Sequence, residues 1–116
     1  MAVTRIVANI GTDRVESAKA FYADVLEMTV AMDLGWIVTF ATNAPTSPQI
    51  SVAAEGGSGT PVPDISIEVD NLDEVYRRMV AAGFRVEYGP AIEPWGVKRF
   101  YVRDPFGRLI NVLVHG

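Results

Sequence analysis

Apolar and polar residues alternate most cleanly in Asp64-Ile65-Ser66-Ile67-Glu68-Val69. A period of two sets Ile65, Ile67 and Val69 on one face of a strand and Asp64, Ser66 and Glu68 on the other. A looser alternation over residues 5–10 puts Ile6, Ala8 and Ile10 opposite Arg5, Val7 and Asn9. Short runs rich in β-branched, aromatic and aliphatic residues predict further strands over residues 28–32, 36–41, 49–54, 85–88, 97–103 and 108–114. Two stretches switch to the helical period. Val15, Ala18, Phe21, Tyr22 and Val25 or Leu26 recur at helical spacing behind Asp13 and Glu16, a capping-box pair. A helix to about residue 26 is expected, with that stripe packed inward. A second helix over residues 72–82 opens on Asp70 with Asp73 or on Asn71 with Glu74, and Gly83 stands where a helix ends.

The element order is βαβββ, used twice. Residues 55–63, EGGSGTPVP, hold three glycines and two prolines and no periodicity, which marks a linker between residues 3–54 and residues 64–114 of a single domain. Superposing Asp13 on Asp70 aligns Val15 with Leu72 and Ala18 with Val75, and brings Phe40 near Phe100 and Ile50 near Ile110. One such half leaves apolar surface in water, whereas two halves side by side bury it and enclose a groove.

Asp104-Pro105-Phe106-Gly107 joins the last two strands: proline presets the first turn dihedral and glycine takes a conformation other residues avoid. On the second of these strands Asn111 is the one polar residue among Leu109, Ile110, Val112 and Leu113. A buried amide there needs a partner.

Composition narrows the chemistry. A chain of 116 residues buries enough surface to fold without disulfides or metal. It has no cysteine, which removes thiolate chemistry and cysteine zinc sites, and its one histidine, His115, is next to last, where chains commonly fray. A catalytic triad or multi-histidine metal centre within one chain therefore requires that residue. With 14 acidic against 10 basic residues the net charge is -4, which disfavours nucleic acid and anionic membranes and mildly favours cationic ligands. No apolar run reaches the roughly 20 residues of a membrane span, and residues 1–10 lack the pattern of a secretion signal, so a cytoplasmic protein is expected.

The repeated βαβββ order, Phe21-Tyr22-Ala23-Asp24-Val25-Leu26, Val69-Asp70-Asn71-Leu72-Asp73 and the Asp104–Gly107 turn together resemble the glyoxalase/bleomycin-resistance/extradiol-dioxygenase superfamily, the vicinal oxygen chelate proteins. The resemblance implies an α+β fold whose two motifs, in pseudo-two-fold arrangement, curve into a U-shaped sheet around a cavity, with the polar face of residues 64–68 turned towards it. It also implies a homodimer. Enzymes of this superfamily hold a divalent metal with four side chains, and carried over by position those places fall on Val7, Ser51, Asp64 and Asn111, with Ser51 offset by up to two residues. Valine cannot ligate, and one carboxylate with two neutral oxygens is a poor set, so no metal and no cofactor are expected.

Glu93-Pro94-Trp95-Gly96 ahead of Arg103-Asp104-Pro105 further resembles the metal-free bleomycin resistance proteins, which sequester a flat cationic drug without chemistry. The leading expectation is accordingly a small-molecule binding protein gripping a cationic or aromatic ligand through Trp36, Asp64, Glu68, Trp95 and Asn111, with Asp33 and Glu93 adding negative potential. A metal-independent isomerase or lyase using Asp64 or Glu68 as general base is the alternative, and a metal-dependent glyoxalase-like enzyme a further one. A domain that senses or carries a metabolite is a third class. Plainer roles stay open for the same residues: core packing for the tryptophans, solvated turns for Asp33 and Glu93, a backbone hydrogen bond for Asn111, and turn structure for Arg103 and Asp104.

Overall fold

The computed structural model describes residues 2–116. The chain divides into two compact units, one of Val7–Val62 and the other of Pro63–Gly116 together with the N-terminal residues up to Ile6. In the first unit, β2 (Thr29–Asp33), β3 (Ile37–Ala41), β4 (Gln49–Ala53) and the later part of β1 (Val3–Gly11) follow one another in that spatial order. β3 and β4 are antiparallel, and β1 runs parallel to β4 with Ala8 opposite Ile50. Val15, Val38, Phe40 and Val52 form the core, with Tyr22 laid on Phe40 at 5.3 Å between ring centres.

The helix expected in this unit takes a different form. A 3₁₀ turn at Val15–Ser17 is followed by a π-wound segment at Ala20–Val25, in which the Leu26 N–H donates to the Phe21 carbonyl five residues back. No side chain caps the start, so the Asp13–Glu16 box does not form. Thr12 Oγ1 instead accepts from the Arg14 N–H at 3.1 Å. The wider winding explains the split stripe: Val15, Ala18 and Tyr22 reach the core, whereas Phe21, Val25 and Leu26 are rotated out and exposed. Residues 55–63 carry no strand or helix, yet they are tied internally, with Gly56 N donating to the Thr60 carbonyl at 2.8 Å and Gly59 N to Glu55 Oε1 at 3.1 Å.

In the second unit the order is β5 (Ile65–Val69), β8 (Leu109–His115), β7 (Val97–Arg103) and β6 (Val86–Glu93), and the first residues of β1 lie along β5. β5 and β8 are parallel, and β8, β7 and β6 antiparallel. α1 (Leu72–Ala81) covers one face of this sheet. It opens on Asn71, whose side chain accepts from the Glu74 N–H, so of the two expected capping pairs this is the one used, while Asp70 accepts from Ala2 N at 2.8 Å. It closes at Gly83, φ +84°, with Gly83 N donating to the Val80 carbonyl and Phe84 N to the Met79 carbonyl, a Schellman end. Leu72 and Val75 of α1 pack on Val69, Phe100, Val102, Ile110 and Val112, each contributing roughly 1.5–3 kcal/mol if fully buried. β6 is longer than residues 85–88: it continues to Glu93 because two bulges absorb the Gly89-Pro90 step, and Pro94-Trp95-Gly96 is then a tight hairpin turn.

The α+β class and the repeated strand order are thus as the sequence predicts. The first helix and the extent of β6 are not.

Candidate functional site

In the second unit the pleat turns every residue that alternates with the α1-facing core onto the other face of the sheet. The register sets Ser66 beside Asn111, Asn111 beside Tyr101 and Tyr101 beside Tyr88, so a lateral row of hydroxyl and amide groups crosses β5, β8, β7 and β6. Adjoining rows bring Glu68 and Arg99 to either side of Leu113, and Val97 beside His115.

Asn111 is 8% exposed. Its Nδ2 donates to Ser66 Oγ at 3.1 Å, and its Oδ1 is the one buried side-chain polar atom without a hydrogen-bond partner among the described residues. Turning the amide over exchanges the two atoms and leaves a donor unpaired instead of an acceptor. Either way one polar atom of the row is unmatched, at a cost of about 1–3 kcal/mol.

Beside it lies a buried ion pair. Arg99, 3% exposed, donates from Nε to Glu93 Oε2 at 2.7 Å, with Nη2 2.6 Å from the same oxygen, and from Nη1 to Tyr101 Oη at 2.9 Å. Tyr88 Oη donates to Glu93 Oε2 at 3.1 Å. The guanidinium carbon sits 4.9 Å from the Tyr101 ring centre, 5.0 Å from Trp95 and 5.4 Å from Tyr88, so three aromatic faces surround it. Glu93 is therefore not a solvated turn residue: the hairpin returns β7 alongside it, and Arg99 neutralises it.

Glu68 is engaged on both oxygens, Oε1 by Arg5 Nε at 2.9 Å and Oε2 by His115 Nδ1 at 2.7 Å. Burial alone pushes its carboxyl up, but the hydrogen bond and charge of His115, with those of Arg5, outweigh this and hold it below the usual carboxylate range. His115 is correspondingly no frayed tail, since it is the last residue of β8, paired across to Val97. Asp64 closes the entry to β5: its N–H donates to the Leu109 carbonyl at 2.9 Å and its Oδ2 accepts from Leu109 N at 3.1 Å. Asp104 caps its own turn, accepting from Phe106 N and Arg108 N, both at 2.9 Å.

In the first unit, Trp36 is half-buried and its carbonyl accepts from Ala54 N. Asp33 accepts from Lys19 Nζ at 2.9 Å and from Gly35 N, and these hydrogen bonds, the lysine's first, lower its carboxyl pKa. Of the residues expected to bind ligand, then, Glu68, Trp95 and Asn111 share one sheet face with the row. Asp64 lies at its margin, and Trp36 belongs to the other unit.

The four places where the family's enzymes carry metal ligands do not fit a divalent ion. Val7 is a buried aliphatic, Ser51 Oγ shares a 2.7 Å hydrogen bond with Thr39 Oγ1, Asp64 is committed to Leu109, and Asn111 offers one neutral oxygen. Among the described residues no group of three or more His, Cys, Asp or Glu side chains is placed to hold a metal. No helix is long and apolar enough to cross a membrane.

The model of the Glyoxalase/Bleomycin resistance protein/Dioxygenase superfamily matches residues 4–112 of this chain. The chain belongs to that superfamily. Its fold is similar to a superfamily member from Vibrio splendidus 12B01 (17% identity, 99% of this chain and 100% of that one, TM-score 0.67). It is also similar to methylmalonyl-CoA epimerase from Mycobacterium tuberculosis (16%, 98% and 87%, 0.64). A structure described as NAD-dependent benzaldehyde dehydrogenase from Legionella pneumophila is similar as well (14%, 97% and 100%, 0.76). At such identities the likeness is one of fold. No curated protein matches the sequence.

Two features of this superfamily member were hidden from its sequence. The Arg99–Glu93 pair had a faint signal, a charged residue at the inward period of a strand with a carboxylate across a tight hairpin. The Glu68–His115 contact joins strands distant in the chain and left none.

Proposed function

We propose that this superfamily member binds a small, uncharged, donor-bearing molecule without metal, on the face of the β5–β8–β7–β6 sheet that carries Ser66, Asn111, Tyr101 and Tyr88. The observation that supports this most is the unpartnered Oδ1 of Asn111, beside Tyr101 in the sheet register, which an N–H or O–H of a ligand would complete. Sequestration of a large cationic drug draws less support. Glu93 is neutralised by Arg99, Glu68 is paired with Arg5 and hydrogen-bonded to His115, and the aromatic faces a cation would use already hold the Arg99 guanidinium. General-base catalysis by Glu68 or Asp64 is disfavoured by the same commitments, because a base must be free to reach its proton.

Isothermal titration against 2-pyridone, benzamide and a bleomycin-type glycopeptide separates these readings. The lactam or the amide binds wild type, and Asn111→Leu weakens that binding at least about tenfold. Tight binding of the glycopeptide alone, unchanged in Asn111→Leu, would reverse the assignment.

A further inference from the structure

On the face of the second unit opposite the polar row, a cavity of about 410 Å³ lies between α1 and the sheet. Val102, Ile110 and Val112 line it from the strands, with Val75 and Met79 of α1 across from them. The Schellman end of α1 brings Phe84 back beside Met79 to complete that wall. Because side chains alternate along β8, Ile110 and Val112 belong to this cavity and Asn111, between them, to the row, so the two places share a strand without sharing a surface.

Apart from Arg103 and Asp104, every residue lining the cavity is apolar. Those two are already engaged. The Arg103 guanidinium donates to both Glu87 oxygens, at 2.8 and 3.2 Å, and to the Gly107 carbonyl at 3.0 Å, while Asp104 accepts from two amides of its own turn. An ionic group entering here would have to displace a bond the chain already makes, and water inside finds almost nothing to hydrogen-bond. The complementary occupant is uncharged and largely hydrocarbon.

The duplicated fold supplies an internal control. Ile10, Ala18, Tyr22 and Val52, which align with Ile67, Val75, Met79 and Val112, line the corresponding cavity of the first unit, which holds about 230 Å³. There Tyr22 lies against Phe40 at 5.3 Å, and Thr12, Arg14 and Ser17 add polar groups to the wall. Where Tyr22 fills the seam of one half, the unbranched Met79 leaves it open in the other. The larger, apolar cavity thus comes from the side chains of the second unit and not from the βαβββ motif that both halves share.

We propose that this cavity is a binding site for a small uncharged hydrocarbon-like molecule, of the size of an alkylbenzene or a monoterpene. Its volume falls towards the smaller end of the range of about 300–1,000 Å³ usual for small-molecule pockets.

Methyl NMR of the full chain tests this by titration with butylbenzene and with 4-phenylbutyrate, which puts a carboxylate where butylbenzene has its terminal methyl. Butylbenzene is expected to shift the methyls of Val75, Val102, Ile110 and Val112 saturably and to leave those of the exposed Val25 and Ile92 in place. 4-Phenylbutyrate binds at least about tenfold more weakly. Met79→Tyr, which copies the filling of the first unit, weakens butylbenzene at least about tenfold, whereas the volume-conserving Met79→Leu keeps its affinity within about threefold. Urea melts establish that both variants fold; if Met79→Tyr does not unfold cooperatively, the wild-type shift map and the carboxylate comparison decide. The absence of a saturable shift, shifts shared by Val25 and Ile92, equal binding of the two probes, or undiminished binding by a folded Met79→Tyr chain overturns the inference. So does an affinity for butylbenzene that falls as the chain concentration rises, which would give the cavity to a neighbouring polypeptide.

Discussion

Replacing Asn111 by leucine should make the free protein more stable while removing its proposed recognition point. Leucine has nearly the same branching as asparagine and stands here between Leu109 and Leu113 on the same strand. The substitution removes a buried oxygen without a partner, worth about 1–3 kcal/mol of penalty, and gives up the 3.1 Å bond to Ser66, worth about 0.5–1.5 kcal/mol. The balance is a gain near 1 kcal/mol, or roughly 4 °C in Tm for a chain of this size. Urea denaturation at neutral pH measures it, with Asn111→Asp as a control that buries a charge in the same shape and should be destabilised. If Asn111→Leu instead loses 1 kcal/mol or more, the oxygen has a partner in the free protein and the case for a ligand contact fails. Stability gained at the expense of binding is the pattern of a residue kept for function.

Three further outcomes follow from the geometry. Arg99→Met should cost about 3–5 kcal/mol by stranding the Glu93 carboxylate, and adding Glu93→Gln should recover much of it; equal losses in single and double variants would contradict this. Because the Glu68 carboxyl titrates below its usual range when folded, its contribution to stability is complete above about pH 4.3 and is lost as pH falls through the lower folded value. Thermal melts across the acid range should therefore slope less steeply in Glu68→Gln than in wild type. Gly89→Ala should destabilise by at least about 2 kcal/mol, since φ is +78° and a Cβ there would lie 2.5 Å from the Arg99 carbonyl; a wild-type melting curve would contradict it.

How far the sequence carried depended on whether the deciding contacts were local. The strand from Val97 to Arg103, the Asn71 cap and the Gly83 stop are written in a few adjacent residues and appear as expected. The pairing of Val15 with Leu72 and of Phe40 with Phe100 is legible because both halves bury those positions in their own cores. The first helix misled because Asp13 and Glu16 satisfy the capping pattern while Thr12, one residue earlier, takes the local amide. At the site, Asn111 announced itself as a polar residue in an apolar run. Glu68 and Glu93 were recognisable as carboxylates, but whether they face a ligand or a cation of the same chain depends on Arg5, His115 and Arg99, which only the folded register brings up.

The packing of Trp95 against Arg99 also gives the protein an internal optical gauge. An indole's emission colour follows the electric field along its ring, and here the guanidinium of the Arg99–Glu93 ion pair lies 5.0 Å from the ring centre. With Trp36→Phe removing the chain's other indole, any event that shifts the cation, from strand fraying to occupancy of the neighbouring amide, would register as a change in wavelength, with no label attached.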